Sequence, residues 1–187
     1  ERVIPDGRST LVISPCSSHA ARNWRPEHYA RVADYAAGVL GLRVLLCGGP
    51  SAVERQMGDA ILAHVQQPCT DLIGKDTLPA LLATLARATV VLTPDSGPAH
   101  MATAVGTPVI GLYAATNPAR SGPYLSRQWC VDKYDAAARK FLKKPATEIA
   151  WTTKIEEPGV MDLIQPEDVI KKLHAVLSQL ARRPHRH

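Results

Sequence analysis

The chain has 187 residues, 45% of them apolar, and a formal net charge of +5. That length gives one large domain with an ample core, or two very small ones, and the apolar content is ordinary for a globular protein. No apolar run is long enough to span a bilayer, and no signal peptide precedes the first strand.

Three of the positive charges, Arg182, Arg183 and Arg186, fall in a terminal tail rich in His and Pro, so the remainder carries only +2. A balance that mild fits small anionic ligands, or transient contact with an acidic membrane surface, better than a nucleic-acid groove. The four cysteines, Cys16, Cys47, Cys69 and Cys130, are widely spaced and form no C-x-x-C. They suggest neither a zinc site nor a disulfide framework, and imply a reducing, cytoplasmic compartment. The first residue is Glu1 rather than Met, which reads as processing or as a piece of something longer.

Residues 1–9 are polar, with Pro5 and Gly7, and read as a linker remnant. A first strand is expected over 11–14, running into a loop of small hydroxyls, Ser17 and Ser18, and then a cation, Arg22. Hydroxyls and a guanidinium fork together suit a phosphate; the bland alternative for Arg22 is a solvated surface arginine stacked on Trp24. Pro26 opens a helix whose stripe is Tyr29, Val32, Ala33, Ala36, Ala37 and Leu40. A second strand over 43–47 ends in Gly48-Gly49-Pro50, and Ser51 caps a helix to about residue 65. Glu54 in its first turn suits the helix dipole, and also stands where a ribose-binding carboxylate would in such a fold. The glycines are not a G-x-G-x-x-G fingerprint, so NAD has no support.

A short third strand is expected over 71–73, then a turn and a helix over 78–88 capped by Thr77 with Pro79 in its first turn. The most informative stretch follows. Residues 90–93 make a β-branched strand that Pro94 should stop, and Asp95 and Ser96 are candidate caps of a short helix ended by Gly106 and Pro108. A helix beginning at the carboxyl end of a parallel strand presents N–H groups and partial positive charge to an anion. Gly97 lets a ligand approach the backbone, and His100, one turn in, can donate to a phosphate oxygen. Asp95 would repel phosphate and is better assigned to sugar hydroxyls or to fixing the turn.

Residues 109–113 make a further strand, followed by a Pro- and Gly-rich loop with Thr116, Asn117 and Arg120 at the mouth of a site. A last short strand is expected over 128–132. Residues 133–160 are the least legible, with a basic helical turn over 136–144; Tyr134, Lys140, Lys143 and Lys144 either face an acceptor or form a solvated face. A final helix carries Val169, Leu173, Val176, Leu177 and Leu180 as a core stripe. Alternating strands and helices argue an α/β, Rossmann-like, doubly wound parallel sheet over residues 10–180, with 181–187 a disordered basic tail. Three polar turns, at 17–22, 48–54 and 95–100, then share one crevice outside the strand ends.

With these residues identified, the chain resembles the C-terminal, donor-binding domain of the ADP-heptose:lipopolysaccharide heptosyltransferases, glycosyltransferase family 9, which has the two-halved GT-B architecture. The family's Asp-Ser/Thr-Gly-x-x-His appears as Asp95-Ser96-Gly97-Pro98-Ala99-His100, followed by Gly106-Thr107-Pro108 and the loop from Thr116 to Pro123. The paired hydroxyls and Lys-x-Trp-Pro region correspond to Ser17, Ser18 and Arg22 to Pro26, and the final Met-x-x-Ile-x-Pro-Glu-x-Val is Met161 to Val169. The resemblance implies that Asp95 meets the donor sugar, that Ser96, Gly97 and His100 hold the diphosphate, that Ser17, Ser18 and Arg22 clamp it opposite, and that Glu54 is nearest the ribose. It implies inverting transfer from a nucleotide-diphospho-sugar, ADP-heptose, to the lipopolysaccharide core, with no metal and no cofactor beyond that substrate. The acceptor site and base would lie in an N-terminal half, and contact with the bacterial inner membrane would be peripheral. Arginine replaces the usual lysine at position 22, and residues 133–160 match the family poorly. The alternatives are a UDP-sugar-dependent GT-B enzyme, a UDP-sugar 2-epimerase, which Pro98 and His100 disfavour, and a nucleotide-binding module without transfer chemistry.

Overall fold

A computed structural model describes residues 8–182. The expectations for residues 1–7 and 183–187, most of the linker remnant and of the basic tail, lie outside the described residues. Six strands form one parallel sheet: β1 (Thr10–Ile13), β2 (Arg43–Leu46), β3 (Thr70–Asp71), β4 (Val90–Pro94), β5 (Val109–Tyr113) and β6 (Val131–Asp132). Their order is β3-β2-β1-β4-β5-β6, so the connections run outward in opposite directions from the β1–β4 pair. That reversal makes the carboxyl ends of β1 and β4 the switch point of a doubly wound sheet, where no crossing connection fills the crevice.

The central strands β1, β4 and β5 are buried on both faces, and alternate residues serve different layers. Leu11, Ile13, Val44, Leu46, Val90 and Leu92 pack under α1 (Pro26–Gly38), α2 (Ala52–His64) and α7 (Pro166–Ala181). Val12, Leu45, Cys47, Val91 and Val109 pack on the other face, under α3 (Leu78–Arg87) and α4 (Gly97–Ala104). The period of two along each strand thus feeds two cores.

Most boundaries agree with the sequence pattern to within a residue or two. Ser51 and Thr77 cap α2 and α3 as expected, accepting from the Glu54 and Ala80 N–H groups. Pro94 does not stop β4; it pairs with Leu112, the strand running one residue into the turn. The third strand lies at 70–71 rather than 71–73, because pairing with Leu45 and Leu46 sets its register. Only 131–132 of the expected last strand pairs in the sheet, the preceding Arg127–Trp129 being a 3₁₀ turn. Ala181 ends α7 and Arg182 caps it, so helix reaches into the expected tail.

Residues 133–160, opaque in sequence, begin with helical turns and continue as an irregular strap. α5 is Pro118–Ser121, and α6 (Tyr134–Ala137) runs on as a π-helical turn through Leu142 before Lys143 takes a left-handed φ of 58°. Two of the bonds that pin the following strap lie close together in sequence. The Tyr134 hydroxyl donates to the Thr153 carbonyl at 2.7 Å, and the Ile155 N–H donates to the Ala115 carbonyl at 2.8 Å, with Ile155 buried. Tyr134 is itself buried, so it is a strut and belongs neither to an acceptor-facing group nor to a solvated face.

Candidate functional site at the switch point

A cavity of about 440 Å³ lies over the carboxyl ends of β1, β2 and β4. Its walls come from Cys16, Ser17 and Ser18 after β1, Ser51, Val53 and Glu54 at the start of α2, and Ser96, Gly97 and Pro98 at the start of α4. The three polar turns therefore share one crevice, as their sequence positions implied.

The fourth strand's turn is built to leave a helix end uncapped. Ser96 occupies the cap position of α4 but makes no side-chain cap bond. Its hydroxyl is instead bonded to the Thr93 hydroxyl at 2.8 Å. Pro98 has no N–H, and the Ala99 N–H donates to the Ser96 carbonyl at 3.2 Å, so the Gly97 N–H is left for whatever occupies the cavity, and the helix dipole adds partial positive charge there. Gly97 has no atom within 4 Å of where a side-chain Cβ would stand, so glycine is not demanded by packing. His100 lies exposed one turn further along, at the rim rather than in the cavity wall.

The first turn is held more firmly. The Ser17 N–H donates to Asn23 Oδ1 at 2.7 Å, and the Ser17 hydroxyl accepts a long bond from the His19 N–H, 3.4 Å. Ser18 is exposed, its hydroxyl free for a ligand. Burial, with the Glu54 carboxylate adding to it, pushes the Cys16 thiol up to about 11, which makes it an unreactive wall.

Glu54 is turned inward on its own loop. Its Oε1 accepts from the Gly49 N–H at 2.8 Å and its Oε2 from the Ser51 hydroxyl at 2.8 Å. A Cβ at Gly49 would stand 2.7 Å from Glu54 Oε2, so the Gly-Gly turn admits this carboxylate before any ligand. Glu54 still lines the cavity, with its oxygens committed to shaping the turn.

Arg22 is not a solvated arginine, and it does not stack on Trp24, which is buried edge-on against Tyr29. Its Nη1 lies 3.4 Å from Asp95 Oδ2, and its Nη2 lies 3.7 Å from Glu156 Oε1. The Ser121 hydroxyl donates to the same Asp95 oxygen at 3.1 Å. Asp95, 7% exposed, is therefore fixed by a cation and a hydroxyl beside the cavity. Ser121 and Glu156 are the residues that sequence reasoning missed. Ser121 sits one turn after Asn117 in the loop already singled out, whereas nothing local marks Glu156.

The loop after β5 contributes less directly than its composition suggested. Thr116 is buried, and Asn117 accepts from the Ala119 N–H at 2.9 Å as the cap of α5. Arg120 is exposed and lies outside the cavity wall.

An all-parallel α/β layer with an uncapped helix start and clustered hydroxyls at its switch point defines a Rossmann-like domain whose cavity has the chemistry to receive an anion. Comparison with known proteins gives the family. The model of glycosyltransferase family 9 (heptosyltransferase) matches residues 2–151, and the chain belongs to that family. It is 40% identical over 173 residues to the lipopolysaccharide core heptosyltransferase OpsX of Haemophilus influenzae, covering 92% of this chain and 50% of that protein. It is 30% identical over 170 residues to lipopolysaccharide heptosyltransferase 3 of Escherichia coli K12, covering 90% and 46%. The solved structure of E. coli ADP-heptose LPS heptosyltransferase II shares the fold, with a TM-score of 0.73 at 23% identity over 96% of this chain and 49% of that one. The chain spans about half the length of the curated relatives it matches. Among the described residues no helix is long and apolar enough to cross a membrane.

Proposed function

We propose that this chain is the donor-binding half of a GT-B glycosyltransferase that uses ADP-heptose and transfers heptose to the lipopolysaccharide inner core. The observation that carries the reading is the convergence of the β1, β2 and β4 turns on one cavity beside the Asp95–Arg22 pair. Family membership and the 40% identity to a lipopolysaccharide core heptosyltransferase support the same substrate class.

In the proposed reaction an acceptor hydroxyl attacks the anomeric carbon from the face opposite the diphosphate. A new C–O bond forms as the sugar–phosphate bond breaks, the hydroxyl proton passes to a general base, and nucleoside diphosphate leaves. The negative charge that grows on the leaving diphosphate is met by the Gly97 N–H at the start of α4, the Ser17 and Ser18 hydroxyls, and the Arg22 guanidinium. The Gly97 N–H, fixed at the helix start, requires no reorganisation as charge develops, which is the electrostatic part of catalysis. His100 reaches the phosphates from the rim, and Asp95 orients the sugar through its hydroxyls. Glu54 shapes the turn under the ribose. Acceptor binding and the general base are assigned to the half of such an enzyme that this chain does not match, as is any peripheral contact with the inner membrane.

Calorimetric titration with ADP, UDP and GDP tests the reading, alongside an Asp95→Ala, His100→Ala double variant. ADP-selective binding that weakens in the double variant supports it, with no sugar transfer by this chain alone. UDP preference points to another GT-B donor class, and absence of binding to all three refutes the reading.

A further inference from the structure

Next to Ser96 of the cavity wall, Asp95 belongs to an ion cluster of two carboxylates and one guanidinium, whose Glu156 lines a second cavity rather than this one. Arg22 projects from the 3₁₀ turn at Ala20–Arg22, its side chain 12% exposed, with Asp95 on one side and Glu156 on the other. Its Nε is buried and bonded to nothing. Five N–H donors are thus served by two contacts of 3.4 and 3.7 Å, both longer than a good charge-assisted hydrogen bond. The guanidinium has donors to spare, yet the cluster's formal charge is −1, which opposes an incoming anion.

Glu156 is placed there by construction. The Ile155 N–H bond to the Ala115 carbonyl and the buried Ile155 side chain fix the strap just beyond β5, immediately before Glu156. The carboxylate is 41% exposed, so it stands at the solvent edge of the cluster, while Asp95 forms its buried side.

We propose that Glu156 is a positioning residue that holds Arg22 back from the diphosphate and so speeds release of the nucleoside diphosphate product. This rests on the donor-site reading above. While Glu156 engages Nη2, the guanidinium shares its charge between two carboxylates. A bound diphosphate must compete for the same donors and also bear the repulsion of the nearby carboxylate. With Glu156 neutralised, Arg22 remains anchored on Asp95 but turns Nη2 and Nε toward the phosphates.

The sign of the effect separates this role from a structural one, because damage to the strap loosens binding whereas release of Arg22 tightens it. Glu156→Gln, nearly isosteric, is expected to bind ADP about two- to fivefold more tightly, the scale of one partly solvated charge contact. Inorganic pyrophosphate should show the same gain and adenosine none, since the effect is on phosphate. In an Arg22→Ala background the Glu156→Gln gain should vanish, as a double-mutant cycle requires of groups that act through one another. Unchanged or weaker ADP binding in Glu156→Gln, or a gain that persists without Arg22, overturns the proposal. If the unsubstituted chain binds no ADP, the donor-site reading itself has failed and this inference falls with it. If it binds ADP normally and Glu156→Gln is no tighter, only the inference falls.

Discussion

Gly97→Ala separates a glycine kept for a ligand from one kept for the fold. Nothing lies within 4 Å of the added Cβ, and Gly97 is not among the positive-φ glycines, so neither a clash nor a strained backbone results. Alanine at the first residue of α4 should leave stability within about 1 kcal/mol of the parent, on the favourable side if it moves at all. The same Cβ, however, projects from a cavity wall beside the Gly97 N–H, at the helix start that no side chain caps. Displacing a diphosphate from that N–H forfeits a hydrogen bond to a charged group, about 1.5–3 kcal/mol, or roughly 10- to 100-fold in affinity. Thermal melting and ADP calorimetry on the same preparation read both quantities. Unchanged ADP affinity in a normally stable Gly97→Ala protein would refute the placement of the diphosphate at α4.

Gly111→Ala should behave in the opposite way. Its Cβ would stand 2.5 Å from Tyr113 Cε2 and 3.2 Å from Cys130 Sγ inside the sheet, so a loss of about 1–3 kcal/mol is expected, visible as a lower Tm. A Tm equal to the parent's would contradict the packing described for β5. A third expectation concerns acid. The Arg25 guanidinium, bonded to both oxygens of Asp162, holds that carboxyl below the usual carboxylate range. A depressed carboxylate contributes stability above its unfolded pKa, near 4, and loses it as pH falls through the folded value. The gap in Tm between the parent and Asp162→Asn should therefore be open at pH 6 and close progressively below about pH 4. A gap independent of pH would show that the pair contributes through packing alone.

The strands were legible because each carries a short apolar run flanked by turn residues, and residues 109–113 were located to the residue. The errors came where long-range pairing overrides local pattern. The register of β3 is dictated by β2, and Pro94 stays in the ladder because its neighbour β5 tolerates a residue without an N–H at that end. The cavity was legible for a related reason: in a doubly wound sheet the switch point follows from strand order, and small hydroxyls and glycine after β1, β2 and β4 mark what faces it. The orientation of the charged side chains was not. Glu54 has an alternative partner in its own turn, and Arg22 finds Glu156 only because Ile155 docks on Ala115 far away in sequence. Such contacts depend on where a strap lands, and no local spacing encodes that.

The most direct test of the central claim is a crystal structure of the chain with ADP. The account predicts the diphosphate within hydrogen-bond distance of the Gly97 N–H and the Ser18 hydroxyl, in the cavity over the ends of β1 and β4. Nucleotide seated instead in the separate cavity of about 410 Å³ beside Arg25 and Asp162, with the α4 start empty, would contradict it.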